Sequence, residues 1–328
     1  MLTQTLPDTD IQLPRLMLGC MLMGGRWNTD PVDSNHVNRA CSAIEAAISL
    51  GINAFDHADI YCKGKSEQVF AAALDEMRLN REDLFLQSKC GIRFLDDPEP
   101  GFPGRYDFSS KHILASVDGI LKRLHTDYID LLLLHRPDCL MDPEEVAEAF
   151  DQLHNLGKVR YFGVSNQSPT QMDLLRKWLD QPLKVNQIQI SLDYPLQIDS
   201  GILTTKGKPL PQFRAEGALD YCHLHNIIPQ AWSPLAKGVL SGKPLKESEA
   251  HKQATADLVK QIAEKHSVSR EAVLINWLMR HPAKIQPVIG TMNTERIQNA
   301  AEGAQGHWTL SREEWYELFI SSRGAPLP

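Results

Sequence analysis

The chain has 328 residues, of which 42% are hydrophobic and 23% are charged, as in a globular protein with a large core. Its net charge of -7 and the lack of any basic run exclude nucleic acid as an expected partner. The six cysteines form no C-x-x-C pair, and there is neither a signal-like start nor an apolar run of about 18 residues. We therefore expect reduced thiols, a cytoplasmic location and no membrane contact.

Short apolar runs alternate with longer amphipathic segments from about residue 16 to about residue 302. Eight of these runs are predicted strands, at residues 16–20, 52–56, 84–89, 128–135, 159–165, 185–190, 227–232 and 285–290. Most are separated by one helical segment, which predicts an α/β protein whose parallel sheet closes into a (β/α)8 TIM barrel. We expect a single domain over residues 1–328. A doubly wound sheet is the alternative, but the chain has no G-x-G-x-x-G motif.

Helix signals accompany this pattern. Apolar residues recur at helical spacing over residues 36–50, and Gly51 follows as a stop signal. Ser109 is placed to open the next clear helix. Asp142, followed by a proline and two glutamates, opens another helix that ends near Gly157.

Two segments interrupt the alternation. Residues 92–108 and 195–212 are rich in Pro and Gly, have no clear period, and each follow a predicted strand. In a barrel they would be loop insertions on the catalytic face, where long loops are often functional. Plain surface insertion explains them equally well.

Four polar residues stand at the ends of successive predicted strands. Asp56 and Tyr61 come after the second strand, Lys89 ends the third and His135 ends the fourth. A barrel gathers the carboxyl ends of its strands at one mouth, so these side chains are expected to be neighbours. Taken singly, each has an ordinary structural explanation, such as a core histidine or a solvated lysine.

The chemistry of this set suits proton delivery to a carbonyl group. A tyrosine hydroxyl is a weak acid, and the Lys89 ammonium favours the phenolate and so lowers the pKa of Tyr61. Asp56 would pair with Lys89 and keep it charged. His135 would donate a hydrogen bond that orients a carbonyl oxygen.

The stretch G-I-N-A-F-D-H-A-D-I-Y at residues 51–61 resembles the signature of the aldo-keto reductases, in which an Asp at a strand end precedes the catalytic Tyr by five residues. Lys89 in Q-S-K-C-G and His135 in D-L-L-L-L-H-R-P-D match the family's third and fourth catalytic positions. The resemblance implies that Tyr61 is the general acid and that Lys89 lowers its pKa. It implies that Asp56 pairs with the lysine and that His135 orients the substrate carbonyl.

The resemblance also implies a nicotinamide cofactor, NADPH or NADP, with NADH less favoured. G-K-V-R-Y-F-G-V-S-N at 157–166 and A-W-S-P-L-A-K-G-V-L-S-G at 231–242 are similar to family segments that contact the nicotinamide and the pyrophosphate. P-V-I-G-T-M-N-T-E-R-I-Q-N at 287–299 aligns with the adenosine-phosphate site. The implied cofactor-binding residues are Met21, Ser165, Asn166, Gln187, Trp232, Ser233, Pro234, Leu235, Gly238, Gly290, Thr291, Arg296 and Asn299.

In the family, the positions of Ser165, Asn166 and Gln187 hold the carboxamide, and the position of Trp232 stacks on the nicotinamide ring. No metal is implied.

The positions of Thr291 and Arg296 lie near the 2′-phosphate in the family, where a helix N-terminus and a guanidinium suit an anion. The structural alternative is that Thr294 caps this helix and Arg296 is solvated. Many members carry a lysine where Gly290 stands and an acid where Asn299 stands. These departures weaken the expected preference for NADPH.

The leading hypothesis is a monomeric enzyme that reduces an aldehyde or ketone to an alcohol with NADPH, with an apolar wall around the substrate drawn from Trp27, Phe94, Phe102, Tyr106, Phe108 and Tyr194. One alternative is a redox-sensing regulatory subunit that binds nucleotide with little turnover. Another is a metal-dependent barrel hydrolase using Asp56, His57, Asp59 and His135, although these residues form no H-x-H or H-E-x-x-H motif. In the reductase, His57, Asp59 and Cys62 are expected to be framework residues.

Overall fold

The computed structural model describes residues 1–202 and 216–328. Its strands, in chain order, are β1 (Thr3–Thr5), β2 (Gln12–Pro14), β3 (Met17–Gly19), β4 (Ala54–Asp56), β5 (Phe85–Cys90), β6 (Ile92–Arg93), β7 (Arg105–Tyr106), β8 (Ile129–Leu134), β9 (Val159–Ser165), β10 (Leu183–Gln189), β11 (Ile228–Trp232) and β12 (Gln286–Ile289). Eight of them form a closed parallel barrel in the order β3-β4-β5-β8-β9-β10-β11-β12. Each barrel strand coincides with one predicted apolar run. The (β/α)8 barrel is therefore confirmed, and the doubly wound alternative is wrong because the sheet closes on itself.

Helices follow the barrel strands. They are α1 (Ser34–Ser49), α2 (Lys65–Met77), α3 (Ser110–Leu124), α4 (Pro143–Asn155), α5 (Pro169–Arg176), α6 (Leu196–Ile202), α7 (Ala218–Leu224), α8 (Gln253–His266), α9 (Arg270–Met279), α10 (Thr294–Glu302) and α11 (Arg312–Arg323). Ser109 and Asp142 cap α3 and α4 as predicted, each accepting a hydrogen bond from a backbone N–H of the first turn. Over the described ranges, no helix is both long and apolar enough to cross a bilayer.

The antiparallel pair β1 and β2 packs against the amino-terminal end of the barrel. Leu6 and Leu13 are buried in one cluster with Met17, Ala54 and Phe85, the first residues of three barrel strands. The interior is thus filled from below by apolar side chains. Polar chemistry is left to the opposite end, where the strands of such a barrel place their functional residues.

The two predicted loop insertions contain regular structure. Within residues 92–108, β6 and β7 form an antiparallel ribbon, and Arg93 pairs with both Asp97 and Asp107. Residues 196–202 form α6, so the prediction of a loop from residue 195 is wrong there. Residues 203–212 of that segment lie outside the described part of the chain. The sequence carries no periodic signal for the ribbon or for α6, because two-residue strands and a seven-residue helix are too short to show one.

Candidate active site

The four strand-end residues meet at the mouth of the barrel. Asp56 is the last residue of β4, Lys89 lies near the end of β5, and His135 directly follows β8. Tyr61 begins a short 3-10 turn after β4. The aromatic rings of Tyr61 and His135 lie edge to face with their centroids 6.1 Å apart.

Lys89 is the centre of this group. Its Nζ donates to both carboxylate oxygens of Asp56, at 2.7 and 2.8 Å, and to the backbone oxygen of His57 at 2.8 Å. It also lies 3.0 Å from the hydroxyl oxygen of Tyr61. Lys89 is completely buried, so its charge is balanced by Asp56 rather than by water.

The proton affinities of this group depend on burial as well as on charge. Burial raises the pKa of Tyr61, and the Lys89 ammonium only partly offsets this. The net pKa of Tyr61 is thus above its ordinary value, and the expectation that lysine lowers it holds only for the lysine's own contribution. Burial lowers the pKa of Lys89, but Asp56 and Tyr61 outweigh that effect and the net pKa is raised. At neutral pH the site therefore holds a protonated phenol beside an ammonium.

His135 is a neutral imidazole. Burial lowers its pKa well below the ordinary value, and the charges of Lys89 and Arg136 lower it further. A neutral ring has one N–H to donate, which suits a hydrogen bond to an uncharged carbonyl oxygen.

The backbone beside Tyr61 is held in an unusual conformation. Cys62, Lys63 and Gly64 all have positive φ, from 49° to 85°. The buried thiol of Cys62 donates to the backbone oxygens of Met21 and Gly25, each at 3.2 Å. This thiol pins the tyrosine turn to the loop after β3, as expected of a framework residue.

In the described part of the chain, neither ring nitrogen of His57 has a hydrogen-bond partner, and the carboxyl of Asp59 bonds to Ile60 and Ser116. His57 is buried against Phe70, with ring centroids 4.5 Å apart, and burial lowers its pKa to about 3. Burial and the nearby Glu67 raise the pKa of Asp59 to about 8, so its carboxyl is a poor metal ligand at neutral pH. In the described part of the chain, no three His, Cys, Asp or Glu side chains are placed to hold a metal ion. The arrangement gives the hydrolase hypothesis no support.

A second polar group lies beside the first. Asn166, at a positive φ of 60°, donates to the hydroxyl of Ser165 at 2.8 Å and accepts from the indole N–H of Trp232 at 3.0 Å. Gln187 is also buried here, but its amide nitrogen donates to Asp56 at 3.0 Å. The structure thus brings together Ser165, Asn166 and Gln187, the residues that the resemblance implies for carboxamide binding. The amide nitrogen of Gln187 is already hydrogen-bonded inside the barrel.

The segment after Trp232 turns sharply. Ser233, Lys237 and Gly238 have φ values of 53°, 58° and 84°. Pro234 is buried, and Leu235 packs against two apolar clusters that residues of the barrel strands form with the surrounding helices. Left-handed residues in a tight turn direct backbone N–H groups to one side, a geometry suited to a pyrophosphate.

The segment after β12 is open. A Cβ added to Gly290 would meet no atom within 4 Å. Asn293, rather than Thr294, caps α10, and Arg296 is exposed. Thr291 accepts from the backbone N–H of Asn293 at 3.2 Å. An exposed guanidinium beside a helix N-terminus is compatible with a phosphate ligand.

Comparison with known proteins settles the family. A model described as the aldo/keto reductase family matches residues 15–318. The chain belongs to the aldo/keto reductase family.

Its relatives within this family are full-length matches. It is 37% identical to the uncharacterized oxidoreductase YcsN of Bacillus subtilis (strain 168), with 97% of each chain covered. It is 35% identical to a 6-dehydroglucose reductase of Agrobacterium fabrum, with 96% of each covered. The solved structure of the glycerol dehydrogenase AKR11B4 from Gluconobacter oxydans superposes with a TM-score of 0.81 at 26% identity, covering 99% of this chain and 97% of that one. This aldo/keto reductase is thus an NAD(P)H-dependent oxidoreductase of a family that acts on small carbonyl compounds.

The aromatic residues predicted to surround a substrate divide into two groups. Trp27 and Phe94 are partly exposed and lie edge to face, with centroids 6.4 Å apart. Phe108 is fully buried in the core, so its assignment to the substrate wall is wrong. Phe102 and Tyr106 are exposed on the ribbon between Ile92 and Phe108, and Tyr194 is half-buried.

Sequence reasoning missed a set of buried glutamines in this reductase. Gln87, Gln230 and Gln286 are completely buried inside the barrel, and Gln87 donates to Asp56 at 2.5 Å. A signal was present, because each stands in an apolar run and a buried amide must find partners. Which partners it finds depends on strand register, which the sequence alone does not fix.

Proposed function

We propose that this aldo/keto reductase reduces an aldehyde or ketone to an alcohol with NADPH, with Tyr61 as the proton donor. The observation that carries the proposal is the contact of Lys89 with both Tyr61 and Asp56. A bound nicotinamide supplies the hydride. The chain's own residues supply the proton and the polarising hydrogen bonds.

The phenol is the acid in this scheme. Its raised pKa keeps Tyr61 protonated at neutral pH before a substrate arrives. As negative charge develops on the carbonyl oxygen, the ammonium of Lys89 stabilises the phenolate left by proton transfer. The neutral ring of His135 would donate to the same oxygen and fix its position.

The geometry beside the proposed catalytic tetrad, which is Asp56, Tyr61, Lys89 and His135, supports the proposed cofactor contacts. Ser165 and Asn166 offer hydroxyl and amide groups to the carboxamide, with the amide oxygen of Gln187 as a further acceptor. Trp232, held through its indole N–H by Asn166, offers its ring face for stacking. The exposed Arg296 beside the N-terminus of α10 supports a phosphate on the adenosine ribose, and hence NADPH over NADH.

Met21, Ser233, Pro234, Leu235, Gly238, Thr291 and Asn299 complete the proposed contact set. The backbone oxygen of Met21 accepts hydrogen bonds from the Cys62 thiol and the Ser66 hydroxyl, so its exposed side chain is the part proposed to contact the nucleotide. The carbonyl of Asn299 accepts from Ser269, which leaves its amide side chain for the nucleotide.

The test is consumption of NADPH and of NADH by the purified protein with a panel of carbonyl compounds. The panel contains 6-dehydroglucose, the compound named in relatives such as that of Agrobacterium fabrum, together with other sugar aldehydes, small aldehydes, diketones and quinones. We expect turnover with at least one compound and a higher kcat/KM with NADPH. Tight NADPH binding without turnover on any compound would instead indicate a nucleotide sensor.

A further inference from the structure

The barrel interior beneath the tetrad contains a chain of four glutamine side chains. Gln87, Gln187, Gln230 and Gln286 come from four different strands, and each is at most 2% exposed. Strand pairing places Gln87 opposite Asp56, and Gln230 opposite both Gln187 and Gln286. The register therefore assembles these amides at the level of Asp56.

The hydrogen bonds between these glutamines run in one direction, except that Gln87 and Gln230 each donate to the other. Gln286 donates to the backbone oxygen of Pro14 at 2.6 Å, and Gln230 donates to the amide oxygen of Gln286 at 2.9 Å. Gln87 and Gln187 donate to the amide oxygen of Gln230, at 2.9 and 3.0 Å.

The groups at the two ends of this glutamine network, the Pro14 carbonyl and the Asp56 carboxylate, can only accept hydrogen bonds. Gln230 also donates to the amide oxygen of Gln87, at 3.0 Å. Turning Gln87 over would set its oxygen against the carboxylate of Asp56 and against the oxygen of Gln230. Gln230 thus fixes which face of Gln87 meets Asp56.

The donors of this network converge on one carboxylate oxygen of Asp56. Oδ1 of Asp56 accepts from Lys89 at 2.7 Å, from Gln87 at 2.5 Å and from Gln187 at 3.0 Å, whereas Oδ2 has only the lysine at 2.8 Å in the described part of the chain. Hydrogen-bond donors stabilise the negative charge of a carboxylate and so weaken its effect on neighbouring groups. We propose that Gln87 is a positioning residue that holds Asp56 against Lys89 and takes up part of its charge, so that Lys89 acts more strongly on Tyr61.

This role rests on the proposed function and has a definite sign. The titratable groups that act on Tyr61 are Lys89, Asp56 and Cys20, with His135 facing its ring. Asp56 raises the pKa of Tyr61 and Lys89 lowers it. Losing the Gln87 donor leaves more charge on Asp56, so the pKa of Tyr61 should rise further.

The experiment compares Gln87→Met with Gln286→Met, the same change in the same barrel at an amide that does not touch Asp56. Tyrosinate formation is followed by ultraviolet difference titration, with Tyr61→Phe subtracted to isolate Tyr61. We expect Gln87→Met to shift the Tyr61 titration upward by about half a pH unit. We also expect a fall in kcat of about threefold, the rate change that corresponds to this shift, with KM nearly unchanged.

Gln286→Met should lose stability without moving the titration. Equal titration curves for wild type and Gln87→Met, or equal shifts in both variants, would overturn the proposal. Gln87→Asn, whose amide is one methylene shorter and so is drawn away from Asp56, should move the titration in the same direction if Gln87→Met fails to fold. The titration needs no substrate, so the absence of carbonyl reduction by the wild type would refute the proposed function while leaving this test standing.

Discussion

The ammonium of Lys89 lies 2.7 and 2.8 Å from the two carboxylate oxygens of Asp56 at the mouth of the barrel. Both side chains are almost wholly removed from water. Each charge is therefore tolerated only because the other is present. The pair that prepares Tyr61 for proton transfer in the proposed mechanism therefore also contributes to the stability of the fold.

A double-variant cycle tests this dependence. Lys89→Met leaves Asp56 charged and buried without its cation, and we expect the free energy of unfolding to fall by about 3–5 kcal/mol. Adding Asp56→Asn removes the stranded charge, so the double variant should recover about 1 kcal/mol or more. Urea unfolding gives the free energy of unfolding for the wild type, Lys89→Met, Asp56→Asn and the double variant. Strictly additive losses would show that the two residues are not coupled.

The open space at Gly290 predicts that nucleotide affinity can be increased. A side chain there meets no neighbour, and the backbone is not left-handed, so Gly290→Lys should be accommodated. The new cation near Arg296 should lower the Kd for NADPH about threefold to tenfold and leave that for NADH unchanged. Arg296→Gln should raise the Kd for NADPH and leave the Kd for NADH unchanged.

Fluorescence titration with each nucleotide measures these affinities. Arg312→Gln, at an exposed arginine on α11, is the charge-matched control and should change neither Kd. Equal effects of Gly290→Lys on NADPH and NADH would place the 2′-phosphate elsewhere.

A reciprocal indole contact joins α9 to α11. The rings of Trp277 and Trp315 are stacked with centroids 5.2 Å apart, and each indole N–H donates to the other residue's backbone oxygen. Trp315→Phe removes one donor and part of the stacked area, so we expect a loss of about 1–3 kcal/mol in thermal or urea unfolding. Trp178→Phe, at an exposed indole, should cost less than about 0.5 kcal/mol. Similar losses of stability in Trp315→Phe and Trp178→Phe would show that the reciprocal indole contact adds no more stability than an exposed indole does.

Glu314 should make stability depend on pH in the acid range. Burial raises its pKa, but hydrogen bonds from Lys265, Ser311 and His266 outweigh burial and lower the pKa to about 2. Its folded pKa is below the unfolded value of 4.5, so its contribution is complete above that pH and is lost as pH falls toward 2.

Glu314→Gln should therefore be about 1–2 kcal/mol less stable than wild type at neutral pH, and the difference should shrink between about pH 4.5 and pH 2. Chemical unfolding across this range is the measurement. Glu317→Gln, an exposed neighbour on the same helix, serves as control. A deficit that stays constant down to pH 2 would mean that the loss is steric rather than electrostatic.

The barrel could be predicted from the sequence because its eight strands are continuous apolar runs and because Ser109 and Asp142 mark helix starts chemically. The grouping of Asp56, Lys89 and His135 followed from their places at strand ends. The burial of Phe108 and the short ribbon of β6 and β7 did not follow, because neither has a local signal. The net pKa of Tyr61 also escaped prediction, since the cost of burying the phenol depends on packing around it.

The most direct test of the account is the effect of Tyr61→Phe on carbonyl reduction, with Tyr316→Phe at an exposed tyrosine on α11 as the matched control. We expect Tyr61→Phe to bind NADPH within about twofold of wild type and to lose at least about a hundredfold in kcat, because the proton donor is gone. Tyr316→Phe should retain nearly full activity. Turnover by Tyr61→Phe at the wild-type rate would contradict the assignment of Tyr61 as the general acid and with it the proposed mechanism.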